Sequence, residues 1–362
     1  MSATTTTPHT PWPTVKLGDV CEVVSVRGHQ IKQNEIKPTG RYPVVSQSER
    51  KIEGYSDEPI AIKDVPLILF GDHTCCVKFI DFPFIVGADG TKLLRPNMME
   101  LNYFRYCLEN ARESLCDGKY RRHFSDLIEM EIPLPPLEVQ REIVAKVEAG
   151  LKEADALAAH FKRLATLADE TFKAKLDEIF STLNAPTVKL GDVCKISAGG
   201  DAPKERMSKV KTDIFSIPII SNGVGNNAFY GYTDVAKISC PAVTIAARGT
   251  IGYAEYRDYA YFPIIRLLTA IPKDLSVLDT KYLYCYLQGK KYNVPIGAIP
   301  QLTAPELKNV TIPLPPLEVQ REIVGKLAAV KARCDRLKAE AERGLKAAEA
   351  LRKAVLAEAF EQ

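Results

Sequence analysis

A string of 13 residues occurs twice in this chain without a change, at Ile132–Val144 and at Ile312–Val324. A second pair of segments agrees with it, because Thr14–Cys21 returns as Thr187–Cys194. The offsets are 180 and 173 residues, so the second copy holds about seven extra residues. Such a period is too long for a solenoid or a propeller, whose repeats span roughly 20–50 residues. The repetition predicts two domains in tandem, each followed by the same connecting device.

Composition describes an ordinary globular protein. Hydrophobic residues make up 46% of the 362 positions and charged residues 26%, which is enough for two domains with cores of their own. No apolar run is long enough to span a bilayer. Residues 1–13 are rich in Thr and Pro and lack the pattern of a signal peptide, so they predict a disordered tail.

Cysteine usage and net charge say little about the cellular compartment of this protein or the class of its binding partner. The nine cysteines are an odd number without a C-x-x-C pair, which favours reduced thiols and a cytoplasmic protein. The net charge of +3 is too small to indicate a polyanion partner. Any argument for DNA binding must therefore come from local clusters of side chains.

Each copy shows the same order of secondary-structure signals. Short β-rich runs separated by Gly, Asn and Asp predict strands joined by turns. Leu101–Glu113 and Leu278–Gln288 each predict a single helix. The sequence thus predicts an α+β protein with one α/β domain in each copy. The β-rich runs are Tyr42–Ser46, Val65–Phe70, Ile217–Ser221 and Ala242–Ala246.

The repeated string predicts a rigid joint between a domain and a long helix. Its prolines keep the chain extended, and the residues after them start a helix with acidic side chains in its first turn. Small or apolar residues then recur at alternating steps of three and four, which is a coiled-coil seam. The seam is Val147, Gly150, Ala154, Leu157, Phe161, Leu164 and Ala168 in the first helix, and Leu327, Val330, Cys334, Leu337, Ala341, Gly344, Ala348, Leu351 and Val355 in the second.

Both helices keep this register over roughly 40 residues, or about 60 Å. Ala and Gly on both seams permit close approach, so we expect the two helices to pack on each other. The alternative is that each helix lies separately on its own domain.

Signatures of catalysis are mostly absent from the sequence, which contains no Walker A motif, no H-E-x-x-H and no G-x-S-x-G. Gly223–Ala228 matches G-x-G-x-x-A after a strand-like run. A dinucleotide site would need a helix to begin there, and the sequence that follows has no helical period. A nicotinamide site is therefore not expected.

The segments that follow two equivalent strands carry different polar side chains in the two copies. Gln and Asn can pair with adenine, Arg and Lys with guanine, and Ser with several bases. These segments could therefore read base edges, or they could be ordinary polar loops. The candidates are Ser46, Gln47, Ser48, Arg50 and Lys51 in the first copy and Ser221, Asn222, Asn226 and Asn227 in the second.

Three further clusters suit contact with DNA bases or phosphates. Gly71–Thr74 is aligned with Ala247–Thr250, and the basic segment Gly118–Ser125 is aligned with Gly297–Thr303. A basic loop near residue 204 belongs to the extra segment, with a solvated loop as the alternative. We expect Ser125 and Thr303 to cap short helices. The candidate DNA-binding residues are Asp72, His73, Thr74, Lys119, Tyr120, Arg121, Arg122, His123, Lys204, Arg206, Lys209, Lys211, Arg248, Thr250 and Gln301.

Duplicated Thr-Val-Lys-Leu-Gly-Asp-Val-Cys openings, two variable domains, and two Ile-Pro-Leu-Pro-Pro-Leu-Glu-Val-Gln joints leading into long helices resemble the specificity subunit of type I restriction–modification systems. The similarity covers nearly the whole chain from Thr14 to Gln362. It implies a non-catalytic subunit in which two target recognition domains each read one half of a bipartite, asymmetric DNA site. It also implies that the helices form an antiparallel coiled coil, with pseudo-two-fold symmetry, that sets the spacing of the half-sites.

The same resemblance implies partners and domain limits. The helices would dock two modification (methyltransferase) subunits, and restriction subunits would complete the complex. S-adenosylmethionine, ATP and Mg²⁺ would belong to those partners, with no cofactor in this chain. The limits would be 1–13 for the tail, 14–137 and 183–317 for the recognition domains, and 138–182 and 318–362 for the spacer helices. Candidate residues for partner contact on the outer helix faces are Lys152, Arg163, Lys173, Lys331, Arg336 and Lys346.

Two other functions compete with DNA recognition. The chain could be a helical scaffold whose globular ends bind proteins, in which case it would have no affinity for duplex DNA. It could also be an enzyme, although no nucleophile, base or metal cluster can be assembled from the sequence. DNA binding should weaken steeply as salt rises, which separates it from the scaffold.

Overall fold

The computed structural model describes residues 12–87, 90–116, 121–290, 292 and 300–360 of the chain. The chain divides into two units, Met1–Phe161 with Arg343–Gln362, and Lys162–Glu342. Each unit contains one copy of the repeated opening and joint. Each long helix contributes one part to each unit.

The first unit contains two four-stranded sheets and a separate pair of strands. Its strands are β1 (Thr14–Lys16), β2 (Cys21–Val24), β3 (Gln30–Ile31), β4 (Tyr42–Val45), β5 (Gly54–Ser56), β6 (Leu67–Gly71), β7 (Val77–Ile80), β8 (Ile85–Gly87), β9 (Thr91–Pro96) and β10 (Glu131–Pro133). Its helices are α1 (Leu101–Leu115), α2 (Phe124–Ile128) and the first part of α3 (Leu137–Thr182).

One sheet of this unit is antiparallel, with the order β2-β9-β6-β7. The other has the order β3-β8-β4-β5, and β8 runs parallel to both of its neighbours. All five residues of β6 are buried, which explains why this strand was predicted from an unbroken apolar run rather than from alternation.

The second unit repeats the first with one change. Its strands are β11 (Thr187–Lys189), β12 (Cys194–Ala198), β13 (Met207–Ser208), β14 (Ile217–Ile220), β15 (Phe229–Thr233), β16 (Ala242–Ala246), β17 (Ala254–Arg257), β18 (Phe262–Pro263), β19 (Leu267–Pro272) and β20 (Thr311–Pro313). Its helices are α4 (Leu190–Val193), α5 (Thr280–Gly289), α6 (Ala304–Asn309) and the first part of α7 (Leu317–Phe360).

The antiparallel sheet of the second unit has the order β12-β19-β16-β17, which matches the first unit strand for strand. The mixed sheet has the order β13-β15-β14-β18. Its edge strand β13 pairs with β15, whereas the edge strand β3 of the first unit pairs with β8. The segment with the extra residues therefore supplies a strand at the opposite edge of the sheet, and it is not wholly a loop.

The two repeated strings pair with each other within each unit. Strand β1, from the opening, runs antiparallel to β10, from the proline-rich string, and β11 pairs with β20 in the same register. A tyrosine of α1 or α5 donates to the proline-rich strand in each copy, from Tyr103 to the carbonyl of Pro133 at 3.0 Å and from Tyr282 to that of Pro313 at 2.8 Å. This pairing explains why both strings are repeated together.

The core of each unit lies between the antiparallel sheet, one helix and the long helices. In the first unit, Tyr103, Phe104 and Leu108 of α1 belong to one apolar cluster with Phe70 of β6 and Leu151 of α3. In the second unit, Tyr282, Leu283 and Leu287 of α5 belong to the corresponding cluster with Leu176 and Leu327. Both long helices thus contribute side chains to the core of each unit. The domains are therefore not merely attached to the ends of the helices.

Helices α3 and α7 pack together and run antiparallel, as predicted, and the alternative of separate helices is wrong. In the first unit, Asp155 pairs with Arg352 at 3.2 Å, and a Cβ atom at Gly344 would meet the ring of Phe161. In the second unit, a different ion pair, Asp169 with Lys338, joins the same two helices. In each unit the residue number rises along one helix as it falls along the other.

The predicted seam is buried at its small residues, since Ala154, Ala168, Ala341 and Ala348 are at most 2% exposed. Leu351 is 38% exposed, and its assignment to the seam was wrong. The contact between the helices passes through Arg352 instead, which pairs with Asp155 at 3.2 Å, so Leu351 lies to one side of it. No helix in the described ranges is both long and apolar enough to cross a membrane.

A bulky residue at the centre of the seam should destabilise the protein. Ala341→Leu places a larger side chain where no exposed surface remains, and overpacking of this kind costs about 1–3 kcal/mol of unfolding free energy. Ala339→Leu is the matched control, because it makes the same change two residues away at an exposed position of the same helix. Urea unfolding of the whole chain measures both variants. Equal stabilities would contradict the tight contact at Ala341.

Candidate nucleic-acid interface

Three segments of the first unit meet beside the end of β6. They are the loop after β4, the turn after β6 and the residues that precede α2. The backbone N–H of His73 donates to Oε1 of Gln47 at 3.1 Å, and the Thr74 hydroxyl donates to the Gln47 carbonyl at 2.6 Å. Nδ1 of His73 lies 3.2 Å from the carbonyl oxygen of Arg121. We call Gln47, His73 and Arg121 the first polar cluster.

The second unit builds an equivalent cluster from different side chains. Nδ2 of Asn222 donates to the carbonyl of Arg248 at 2.9 Å, and Nε of Arg248 donates to Oε1 of Gln301 at 2.7 Å. These three side chains are partly buried, so each still presents surface to a ligand. We call Asn222, Arg248 and Gln301 the second polar cluster.

Strand register shows which positions of the two clusters correspond. Gly71 is paired with Thr91 at the end of one ladder, and Ala246 is paired with Leu267 at the end of the other. His73 therefore corresponds to Arg248, and the sequence alignment of Gly71 with Ala247 was wrong by one residue. Gln47 and Asn222 each stand two residues after equivalent strands, β4 and β14. These two positions match, but the side chains differ.

Buried groups that the sequence analysis missed hold the loop after β4 in place. The hydroxyls of Ser46 and Ser48 both donate to Glu53, and the Lys78 ammonium donates to the carbonyls of Ser46 and Arg50. Lys78 lies at an inward position of β7, where the alternation of burial could have identified it. The two serines predicted to touch DNA therefore have partners within the protein.

Charge and burial act together in this support. Burial lowers the pKa of the Lys78 ammonium from its ordinary value. Burial alone would raise the pKa of Glu53, but hydrogen bonds from Ser48 and Ser46 and the nearby positive charges hold it below its ordinary value. Glu53 thus stays ionised and accepts both hydroxyls, which keeps the loop in one conformation.

Asp72 and His123 are buried, with exposed fractions of 5% and 1%. Oδ1 of Asp72 accepts hydrogen bonds from the backbone N–H groups of His123 and Phe124 at 3.0 and 2.9 Å, at the start of α2. Asp72 caps this helix, so the prediction that Ser125 does so was wrong. Thr303 caps α6 through a capping box with Glu306, as predicted.

The remaining candidates of the first unit lie around the cluster. Arg50, Lys51 and Arg122 are exposed, with the Lys51 ammonium 5.7 Å from the ring centre of Phe82. Arg121 is exposed and pairs with Asp126. Lys119 and Tyr120 lie outside the described residues.

Lys204 and Arg206 of the second unit line a cleft of about 920 Å³ beside Ser221 and Asn222. Lys204, Arg206, Lys209 and Lys211 are all exposed. Arg206 pairs with Asp234 at 2.5 Å, and Lys209 lies 4.0 Å from the ring centre of Tyr230. Tyr230 and Arg266 also line the cleft, and the sequence analysis missed both. No local motif marks them, because the fold brings them to Asn222 from strand β15 and from the turn between β18 and β19.

The glycine-rich stretch of the second unit does not open a helix that could hold a dinucleotide. Gly225–Ala228 forms a 3-10 turn, and strand β15 follows it directly. Asn226 and Asn227 lie in this turn, and Asn227 is exposed. The Ser221 hydroxyl donates to the carbonyl of Ala228 at 3.1 Å, which closes the turn. Thr250 is exposed in the turn after β16.

The candidate partner residues on the helices are mostly exposed, with one exception. Lys331 is partly buried, lies 5.6 Å from the ring centre of Phe172 and pairs with Asp335 at 2.6 Å. Arg163 lies 3.8 Å from Glu170. Within the described part of the chain, no group of three or more His, Cys, Asp or Glu residues could hold a metal ion. The exposed candidates are Lys152, Arg163, Lys173, Arg336 and Lys346.

Two matched domains with polar clusters and a shared pair of long helices define the class of protein. Residues 9–160 and 184–347 match the family described as the type I restriction modification DNA specificity domain, and the chain belongs to this family. It is a DNA specificity subunit of a type I restriction–modification system, with two recognition domains. Such subunits are non-catalytic in type I complexes.

Individual relatives agree with this assignment. A putative type I specificity subunit of Mycoplasma pneumoniae is 29% identical over 87% of this chain and 88% of its own length. A chain from a structure on complex assembly and conformational transition of the type I restriction–modification system matches with a TM-score of 0.73, at 22% identity, over 97% of this chain and 98% of that one. The HsdS subunit from Thermoanaerobacter tengcongensis matches with a TM-score of 0.52, at 21% identity, over 100% and 99%. The two structures support the fold.

Removal of the Asp72 carboxylate should destabilise the first unit. Asp72→Ala leaves the first N–H groups of α2 without their side-chain acceptor, which costs about 1–2 kcal/mol. Asp126→Ala is the control, since it removes another acid from the first turn of the same helix. Asp126 is exposed and its ion pair with Arg121 should contribute at most about 1 kcal/mol. Thermal unfolding measures both, and an equal loss would show that Asp72 does not cap the helix.

Proposed function

We propose that each recognition domain reads one half of a bipartite, asymmetric DNA site, and that the two polar clusters contribute the base contacts. The observation that carries this proposal is the repetition of one backbone arrangement with different side chains. Gln47 and His73 stand where Asn222 and Arg248 stand in the second unit. Two readers of unequal sequences need matched positions and unlike chemistry.

The side chains of the clusters have hydrogen-bonding groups that distinguish base pairs. Amides such as those of Gln47 and Asn222 can pair with the N6 and N7 atoms of adenine. A guanidinium such as that of Arg248 can donate two hydrogen bonds to O6 and N7 of guanine. Exposed basic residues beside the clusters would bind phosphates and position each domain without specifying sequence. The proposed phosphate contacts are Arg50, Lys51, Arg122, Lys204, Lys209 and Lys211.

We assign the recognition domains to residues 14–137 and 183–317, and the spacer helices to 138–182 and 318–362. The helix pair would set the gap between the half-sites, because its length does not depend on the loops that read bases. Two modification subunits would dock on its exposed face through basic residues such as Lys152, Lys173 and Lys346. Co-elution of a modification subunit with the chain tests the proposed docking. Charge reversal of these lysines should weaken the binding of that subunit.

The same proposal places the chemistry of the complex in other chains. The modification subunits would bind S-adenosylmethionine, and the restriction subunits would bind ATP and Mg²⁺. The chain would act with them in the cytoplasm. Binding of S-adenosylmethionine to the isolated chain, measured by calorimetry, would contradict this division.

Exchange of one recognition domain should change one half-site only. In a complete complex, Thr14–Pro136 is replaced by the corresponding domain of a relative, and sequencing of methylated DNA gives the new target. We expect one new half-site, the other half-site unchanged, and the same gap, because both long helices are retained. A change in both half-sites would contradict the proposal of two readers, and a changed gap would contradict the role of the helices.

Removal of one side chain of a polar cluster should relax the sequence specificity at one base pair. Arg248→Ala is expected to reduce discrimination at one position of the second half-site by about 1–3 kcal/mol. Lys211→Ala, a proposed phosphate contact, should instead weaken binding to all sequences and lower the salt dependence by about one released ion. Binding to randomised duplexes at several salt concentrations separates the two effects. A uniform loss for Arg248→Ala would remove it from the base contacts.

A further inference from the structure

Arg266 occupies an unusual backbone position in the turn between β18 and β19. Its φ angle is +68°, in the left-handed region that side chains other than glycine rarely adopt. Its carbonyl accepts a hydrogen bond from the N–H of Ala247 at 2.9 Å. In the first unit the carbonyl of Gly90, with φ +83°, accepts from Asp72 at 2.7 Å. The two residues stand one position before equivalent strands, β19 and β9.

Folding alone would favour glycine at both positions, because only glycine adopts this conformation without steric cost. The second unit nevertheless carries the largest cationic side chain there. Strain that a fold does not require is found most often at functional sites. The arginine at this position is therefore expected to have a function other than forming the turn.

In the first unit, the side chains of Gln47 and His73 occupy the space that a side chain at this position would need. A Cβ atom on Gly90 would lie 2.5 Å from Nε2 of Gln47 and 2.9 Å from the ring of His73. Asn222, which corresponds to Gln47, is one methylene shorter and turns its amide to the Arg248 carbonyl. The second unit thus leaves open the space that Gln47 fills in the first, and Arg266 and Asn222 line the same cleft.

The guanidinium of Arg266 is exposed and makes no hydrogen bond or ion pair with the described part of the chain. By contrast, Arg206 in the same cleft is held by Asp234. The cleft also contains the carboxylates of Asp201 and Glu205, so its lining is not suited to anionic ligands alone. A planar, unpaired guanidinium beside an amide suits a base edge, because its fork matches O6 and N7 of guanine.

We propose that Arg266 reads a guanine in the second half-site, in the place that Gln47 takes in the first recognition domain. This inference rests on the proposed function, since it assumes that the second domain reads one half-site. It adds a specificity-determining residue that neither motif nor repeat marks.

The test uses the chain in complex with its modification subunits and a library of duplexes with randomised half-sites. Arg266→Gly introduces the residue of the first unit and should leave the thermal midpoint unchanged or higher. We expect it to reduce discrimination at one G·C pair of the second half-site by roughly 5- to 150-fold, with the first half-site unaffected. Arg266→Lys keeps the charge without the fork and should lose most of the same discrimination.

Three outcomes would overturn the inference. Arg266→Gly could weaken methylation of all sequences equally while Arg266→Lys restores it, which would indicate a phosphate contact. A second such outcome is that neither variant changes the target. A third is that the change falls in the first half-site. Exchange of residues 183–317 in the same assay separates this inference from the proposed function. If that exchange changes one half-site and Arg266→Gly does not, only the inference about Arg266 fails.

Discussion

In both copies, the glutamine of the repeated string is buried where the proline-rich strand ends and the long helix begins. Nε2 of Gln140 donates to the carbonyl of Pro135 at 2.8 Å, and its Oε1 accepts from the N–H of Glu100 at 2.7 Å, just before α1. Gln320 makes the same pair of contacts, to Pro315 at 2.9 Å and from Asp279 at 2.9 Å. One side chain thus ties the extended joint, the domain helix and the long helix together.

This contact explains the pattern of conservation within the chain. Because a buried amide left without partners is costly, the glutamine and the proline-rich joint that it contacts are constrained to keep one sequence. The loops at the ends of β4, β6, β14 and β16 contact little of this joint, so their side chains can differ between copies. The same physical separation allows one chain to present unlike surfaces on nearly identical backbones.

The sequence predicted the features that depend on local pattern or repetition. The heptad seam identified the helix pair because burial along a helix has a fixed period, and Ala154 and Ala341 are buried as expected. The unbroken apolar runs identified β6 and β16. Thr303 was recognisable as a cap because Glu306 follows it by three residues. These signals are contained in short stretches of chain.

Features that depend on long-range contacts were not predictable in the same way. Asp72 caps α2 across 52 residues of sequence, and no pattern near Ser125 reveals this. Lys78 and Glu53 support the loop after β4 only because the sheet places β7 beside it. Ser46 and Ser48 were therefore proposed as base readers before their hydroxyls could be seen to donate to Glu53. The chemistry of each residue was clear from the sequence, but its neighbours were not.

The two clusters also limit how a recognition domain of this kind can change. Gln47 and Gly90 form one compatible pair, since the glutamine amide occupies the space that a side chain at residue 90 would need. Asn222 and Arg266 form another, in which the shorter amide leaves that space to the guanidinium. A side chain at residue 90 would meet the amide of Gln47 and the ring of His73 unless these side chains moved. Under the proposed function, in which these residues contact a base, substitutions at the two positions of each pair should therefore be coupled.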